Sequence, residues 1–287
     1  MVRSHRLELL GKYAFNADNT VERQPWFGCA CCPSNLCRFI PSFPGYMYAV
    51  KDRKLYVNLF AGNTATMQVE CKDVVLEQQT GYPWDGDITI TIKKNQAKEF
   101  AMMVRIPGWV DRSPVPSDLY RFSDDILGGY QVMVNGQAVK GKLDDGYFVI
   151  NRQWKKGDVV SIHFDMPVRT VKANGHVAAD RGRVAVERGP LVYCAEGDDN
   201  SDFSIFNFLM PRQPKFQVVD RQIQGKRDVH FSVKAIKTQG QAIEQNREGE
   251  AIVKSAKLTL IPYYAWNHRG PGLMEVWLPQ TISAVGN

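Results

Sequence analysis

No apolar run in the 287-residue chain approaches the roughly 18 residues that a membrane-crossing helix needs. The start, Met1-Val-Arg-Ser-His-Arg-Leu7, leads into no apolar stretch, so no secretory leader is expected in this sequence. The compartment is left open: periplasmic, secreted and cytoplasmic all remain for a longer parent. The net charge of +6 is not gathered into a Lys/Arg tract, and no aromatics alternate with a basic stripe. Nucleic acid is therefore not expected as a partner, and neither is a membrane. There is no fixed-period repeat and no low-complexity tract. Histidine is scarce, at five residues, and none has a second ligand at metal-binding spacing. Satisfied or surface histidines are the simpler reading.

What remains is ordinary globular material. Apolar residues make up 44% and charged residues 23%, at a length that suits two domains and a piece of a third. Cysteine is the exception to this even composition. Of six cysteines, Cys29, Cys31, Cys32 and Cys37 fall within nine residues. Adjacent Cys31 and Cys32 have Cα atoms about 3.8 Å apart, below the ~4.4 Å at which disulfides usually begin. Such a cluster points to metal binding, to a reactive thiol or to a structural role, and spacing alone leaves all three open.

Pro33 suits the first turn of a helix over Ser34 to Ile40, which Pro41 is expected to end. Cys32 then sits at or beside the N-cap, where unpaired N–H groups and the helix dipole favour a thiolate. Two neighbouring thiolates are half of a tetrahedral zinc site, so other donors must come from elsewhere. Cys71 and Cys194 stand alone and are expected to be small buried hydrophobes.

Beyond residue 45 the pattern is β. Residues 54–60 are rich in strand formers. Ile88, Ile90 and Ile92 alternate with polar residues, as do Phe100, Met102, Val104 and Ile106. Asn135-Gly136 is a hairpin turn signal, because both positions of that turn need positive φ. Strands are also expected at 147–150, 160–164, 183–187, 191–194, 216–219, 229–233, 257–261 and 274–278. Residues 195–215 and 239–250 are polar and read as loops. The fold class expected is mainly β: a first β-sandwich domain over 46–165 and a second over 166–287, preceded by a short helical segment over 1–45.

Glycoside hydrolysis ordinarily needs two carboxyl groups, and Glu22, Asp85, Asp87, Asp180 and Glu187 are candidates that sequence cannot pair. Asp85-Gly86 and Asp144-Asp145-Gly146 read more simply as turns. Solvated or turn roles are the simpler reading for every carboxylate. Exposed aromatics in 82–86, 107–109 and 263–266 would suit stacking on sugar rings, although core packing is the commoner use.

Arg23-Gln-Pro-Trp-Phe-Gly-Cys-Ala-Cys-Cys-Pro-Ser-Asn35 resembles the cysteine motif of the β-L-arabinofuranosidases of glycoside hydrolase family 127. Thr80-Gly-Tyr-Pro-Trp-Asp-Gly86, Glu187-Arg-Gly-Pro-Leu-Val-Tyr193, Ile261-Pro-Tyr-Tyr-Ala-Trp266 and Arg269-Gly-Pro-Gly272 agree with it in the same order. The resemblance implies an (α/α)6-barrel followed by β-sandwich domains, so residues 1–45 are expected as the C-terminal remnant of that barrel. It implies a retaining reaction with a zinc-bound cysteine nucleophile and a glutamate acid/base. Carried over by motif, Cys31 matches the nucleophile and a zinc ligand, and Cys32 matches a second zinc ligand. Cys29 and Cys37 match no role. The family's Glu-x-Cys zinc ligands have no counterpart here, which departs from the pattern.

The expectation is thus the C-terminal part of a hydrolase acting on a plant-type glycan or oligosaccharide, with zinc in the full-length parent and this chain alone inactive. A homodimer is among the assemblies expected. The alternatives are a non-catalytic β-sandwich module that binds carbohydrate or supports a barrel, and a zinc- or thiol-dependent structural protein.

Overall fold

The computed structural model of the chain describes residues 31–285 apart from 112, 127, 227, 247 and 249. These residues form two units. The first holds Cys31–Pro116 and Ile126–Pro167; the second holds Ser117–Asp125 and the residues from Val168 onward.

The first unit opens with helices α1 (Cys31–Ser42) and α2 (Pro44–Met47). Helix α1 carries one residue past Pro41, where it was expected to stop. Pro41 lacks only its own donor, and the turn is held from its other side: Phe43 N–H bonds Phe39 O at 2.9 Å, and Ser42 Oγ donates to the same carbonyl at 2.8 Å.

Strands β1 (Tyr48–Lys51), β2 (Lys54–Val57), β3 (Asn63–Val69), β4 (Lys72–Thr80), β5 (Asp87–Asn95) and β6 (Glu99–Arg105) follow. A short helix, α3 (Gly108–Asp111), comes after β6, and β7 (Tyr120–Phe122) then joins the second unit. The first unit resumes with β8 (Tyr130–Val134), β9 (Gln137–Ala138), β10 (Lys142–Asp144), β11 (Tyr147–Gln153) and β12 (Val159–Phe164). Two sheets result, β1-β2-β6-β11-β10 and β3-β4-β5-β12-β8-β9.

The alternation expected in sequence is what makes this a sandwich. Ile88, Ile90 and Ile92 of one sheet and Phe100, Met102 and Val104 of the other are all buried in one core with Ile150, Val160, Ile162 and Phe164. Each such side chain contributes about 1.5–3 kcal/mol on burial. Asn135 (φ 53°) and Gly136 (φ 77°) make the β8–β9 turn as expected. Gly86 must lack a side chain: a Cβ there would lie 2.0 Å from Phe164 O, because β12 closes against it with a Phe164 N–H to Gly86 O bond of 3.0 Å.

The second unit contains β13 (Val168–Ala173), β14 (Arg183–Arg188), β15 (Leu191–Glu196), β16 (Phe208–Leu209), β17 (Gln217–Gln224), β18 (His230–Gln245), β19 (Ala251–Pro262), β20 (Met274–Glu275) and β21 (Leu278–Pro279). With β7 they form one ten-stranded sheet. Tyr193 and Ala195 of β15 enter the larger core with Val184, Val186, Leu258 and Leu260. Cys194, between them, points the other way into a smaller cluster with Ile223, Val233 and Ile261.

Two expected loops are corrected here. Residues 239–245 belong to β18 and pair with β19 from Gln239↔Lys257 to Gln245↔Ala251, so only the tip is a turn. Their polarity misled because a strand pair needs few apolar residues where one face is solvated. The stretch 195–215 is not a plain loop either: Glu196 and Asn200 are buried, and Ile205, Phe208 and Met210 enter the core.

Candidate functional site

Cys31 is exposed, and Cys31 and Cys32 are both helical residues of α1. Cys32 therefore does not precede the helix, as expected from sequence. Pro33 is tolerated as the third residue because the first turn's N–H groups have no intrahelical acceptor in any case. Ser34 Oγ donates to Cys31 O at 3.0 Å. Cys29 and Glu22 lie outside the described residues. Leu36, Phe39 and Ile40 form one stripe on α1 at helical spacing, yet they are 55, 52 and 65% exposed.

No group of three or more His, Cys, Asp or Glu that would hold a metal occurs among the described residues. Cys31 and Cys32 are soft donors suited to zinc, but two thiolates fill only half of a tetrahedral set. The described residues by themselves do not make up a zinc site.

Of the candidate carboxylates, Asp87 is brought to His163. On the outer face of the six-stranded sheet, His163 Nδ1 lies 2.7 Å from Asp87 Oδ1, and Nε2 lies 3.4 Å from Asp165 Oδ1. The hydrogen bond to Asp87 leads in raising the His163 pKa above the ordinary histidine value. All three side chains are exposed, so this is a solvated charged rung. Asp85 serves the adjoining turn, accepting from Asp87 N–H at 3.1 Å, as its sequence context suggested. Trp84, in the same turn, is half exposed, whereas Tyr82 and Trp109 pack on the core beside Phe164. Asp180 lies in a 3-10 turn.

Glu187 departs from its expected solvated role. It is partly buried on β14, directly across from Arg169 of β13. Burial pushes its carboxyl up to about 7, with Arg169 opposing the rise.

Sequence reasoning missed a buried charge cluster nearby in the second unit. Arg269 reaches Glu196 and Asp199, and Arg221 also meets Asp199. Burial raises the Glu196 pKa against the pull of Arg269. The Arg269-Gly-Pro-Gly272 segment was the only signal, and it does not reveal partners seventy residues away. Arg183, also buried, pairs with Glu275 at 2.6 Å and with the carbonyls of Trp277 and Ala284. Both clusters pin the C-terminal segment to the sheet. Cys71, expected to be buried, is instead exposed at the β3–β4 turn, while Cys194 is buried as expected.

Comparison with known proteins decides what this framework is. Residues 54–166 match the model of the β-L-arabinofuranosidase GH127 middle domain, and residues 168–279 match that of the glycoside hydrolase family 127 C-terminal domain.

The chain belongs to glycoside hydrolase family 127.

A solved GH127 β-arabinofuranosidase is 52% identical with a TM-score of 0.85, over 92% of this chain and 40% of that one. A GH127 β-L-arabinofuranosidase from Geobacillus stearothermophilus T6 is 33% identical with a TM-score of 0.75, over 93% of this chain and 40% of that one. The curated non-reducing end β-L-arabinofuranosidase of Bifidobacterium longum subsp. longum is 31% identical over 273 residues, 89% of this chain and 38% of the relative. The chain thus spans about 40% of the length of these family 127 proteins. The matched portion contains the two β domains, as expected from the order of the motifs.

Proposed function

We propose that the chain is the C-terminal portion of a retaining glycoside hydrolase of β-L-arabinofuranosides, in which Cys31 is the nucleophile. The observation that carries this reading is the position of the Cys31-Cys32 pair in a helix that leads into the two family 127 β domains, with Cys31 exposed. The β-L-arabinofuranosidase activity of the relatives supports the sugar. The uncovered apolar stripe on α1 supports a site completed by a larger body, since nothing among the described residues buries it.

The chemistry asked of Cys31 is a double displacement. Its thiolate Sγ forms a bond to the anomeric carbon as the glycosidic C–O bond breaks, and a carboxylic acid protonates the departing oxygen. Water, deprotonated by the same carboxylate, then attacks that carbon, and the C–S bond breaks to return the thiolate. Two inversions retain the configuration. α1 itself contains no Asp or Glu, and in this reading the acid/base is a glutamate of the longer protein. Zinc is proposed for the longer protein only, with Cys31 and Cys32 as two of its donors.

The chain by itself is expected to release no aglycone from an aryl β-L-arabinofuranoside. In a protein extended to the length of its relatives, turnover is expected, and Cys31→Ser should remove it by at least 1,000-fold without altering the melting temperature. Hydrolysis by the present chain that Cys31→Ser abolishes would overturn the division of labour. Full activity in the extended Cys31→Ser protein would overturn the nucleophile.

A further inference from the structure

Strand β7 is out of place in the sequence. Residues 117–125 are flanked on both sides by segments of the first unit, and they fall inside the stretch matched by the middle-domain model. Their bonds run to the second unit. Tyr120, Arg121 and Phe122 pair with Ala173, Lys172 and Val171 of β13. Ser123 N–H donates to Thr170 O at 2.8 Å, and Asn174 N–H donates to Leu119 O at 2.7 Å.

A strand of three residues makes too few ladder bonds to hold itself on an edge. The side chains supply the rest. Asp124 accepts from Arg169 Nε at 3.0 Å and from Thr170 N–H at 3.2 Å, while Arg169 Nη2 reaches the Asp124 carbonyl at 3.4 Å. The same guanidinium lies over the Phe122 ring, 3.5 Å from its centre. Ser123 and Thr170 join hydroxyl to hydroxyl, and Tyr120 stacks on Trp277 at 5.7 Å. Arg169 is 7% exposed, and Asp124 is the carboxylate that hydrogen-bonds it, so removing Asp124 leaves a buried charge opposed, among the described residues, only by Glu187 across the ladder.

We infer that Ser117–Asp125 is a strap, encoded within the middle domain, that clips onto the C-terminal domain and is held there by the Asp124–Arg169 clasp. β7 ends the strand order β14-β13-β7, so its release bares the backbone edge of β13. The C-terminal domain is therefore incomplete when counted from residue 168. Its edge strand, and the hydrogen-bonded carboxylate of its buried arginine, belong to an excursion of the chain from the preceding domain. The flanks, proline-bearing at 113–116 and glycine-bearing at Gly128-Gly129, supply no residue to either core, so the excursion can open locally while both cores stay intact.

Hydrogen exchange on the full chain tests this. In the wild type, the amides of Ser123 and Asn174 should be protected far above those of the flanking Val115, Gly128 and Gly129. In Asp124→Ala, protection across 117–125 should fall at least tenfold, with β5 and β6 unchanged. The double variant Asp124→Ala/Arg169→Leu removes the stranded charge; it should restore wild-type protection in β14 and β15 yet leave the strap open. If Asp124→Ala is insoluble, the double variant and the wild type decide the matter. Wild-type strap amides exchanging at the rate of the flanking loops would overturn the inference. So would a strap that stays closed in either variant, or one that opens only together with β14 and β15.

Discussion

A partly buried carboxyl group holds its proton to higher pH than one in water, and Glu187 is such a group. Its pKa in the folded chain rises to about 7 from an ordinary 4.5, with burial as the main cause. Between those values the folded chain keeps a proton that the unfolded chain releases. Stability contributed by this site is therefore full below pH 4.5 and is lost as pH rises through about 7. The full shift overstates the loss, because the side chain still meets some solvent; a change on the order of 1–2 kcal/mol is expected. Glu187→Gln, neutral at every pH, should match the wild type near pH 5 and exceed it near pH 8. Urea midpoints at the two pH values measure this. Parallel pH profiles for the two proteins would show that Glu187 is not the group responsible.

At the scale of elements, two turns of like geometry carry unlike residues. Glu70 (φ 51°) and Cys71 (φ 60°) make the two-residue β3–β4 turn, and Asn135 (φ 53°) and Gly136 (φ 77°) make the β8–β9 turn. A residue with a Cβ pays about 1–2 kcal/mol in the left-handed region, and glycine does not. Cys71→Gly should therefore raise stability by about 0.5–1 kcal/mol, and Gly136→Ala should lower it by a similar amount, since no atom lies near enough to Gly136 to add a clash. Shifts of the same sign in the two urea midpoints would contradict this account. The contrast also shows what sequence makes readable. Asn135-Gly136 announces its turn, whereas Glu70-Cys71 does not, and Cys71 was accordingly expected to be buried. Ile88, Ile90 and Ile92 display their buried face by alternation. The β18–β19 ribbon hides itself behind polar residues, and β7 is too short to carry any period. Cys31 and Cys32 were legible as a motif, but the Arg169–Asp124 and Arg269–Glu196 pairs join residues tens of positions apart, and no local pattern encodes such distances.

For the whole molecule, the balance between core and metal decides how the chain behaves when isolated. Small metal-coupled domains fold only with their ion because they lack enough apolar material to fold without it. Here each unit has its own buried cluster, from Leu55 to Phe164 in the first and from Val184 to Leu278 in the second. The cysteine pair lies on an exposed helix outside both. Folding of these units is therefore expected to need no zinc. A chelator should leave the thermal midpoint of this chain within about 1 °C, since even 1 kcal/mol would move a transition of a domain this size by roughly 3–5 °C. Added zinc should likewise raise the midpoint by less than that, because two thiolates give an open site. In a protein extended to the length of its relatives the same titration should bind one zinc per chain, and Cys32→Ser should weaken that binding at least tenfold. A midpoint in the present chain that falls several degrees with chelator would instead make the cysteine segment a structural metal site, and Cys31 would then be a ligand holding the fold rather than a nucleophile awaiting the rest of its site.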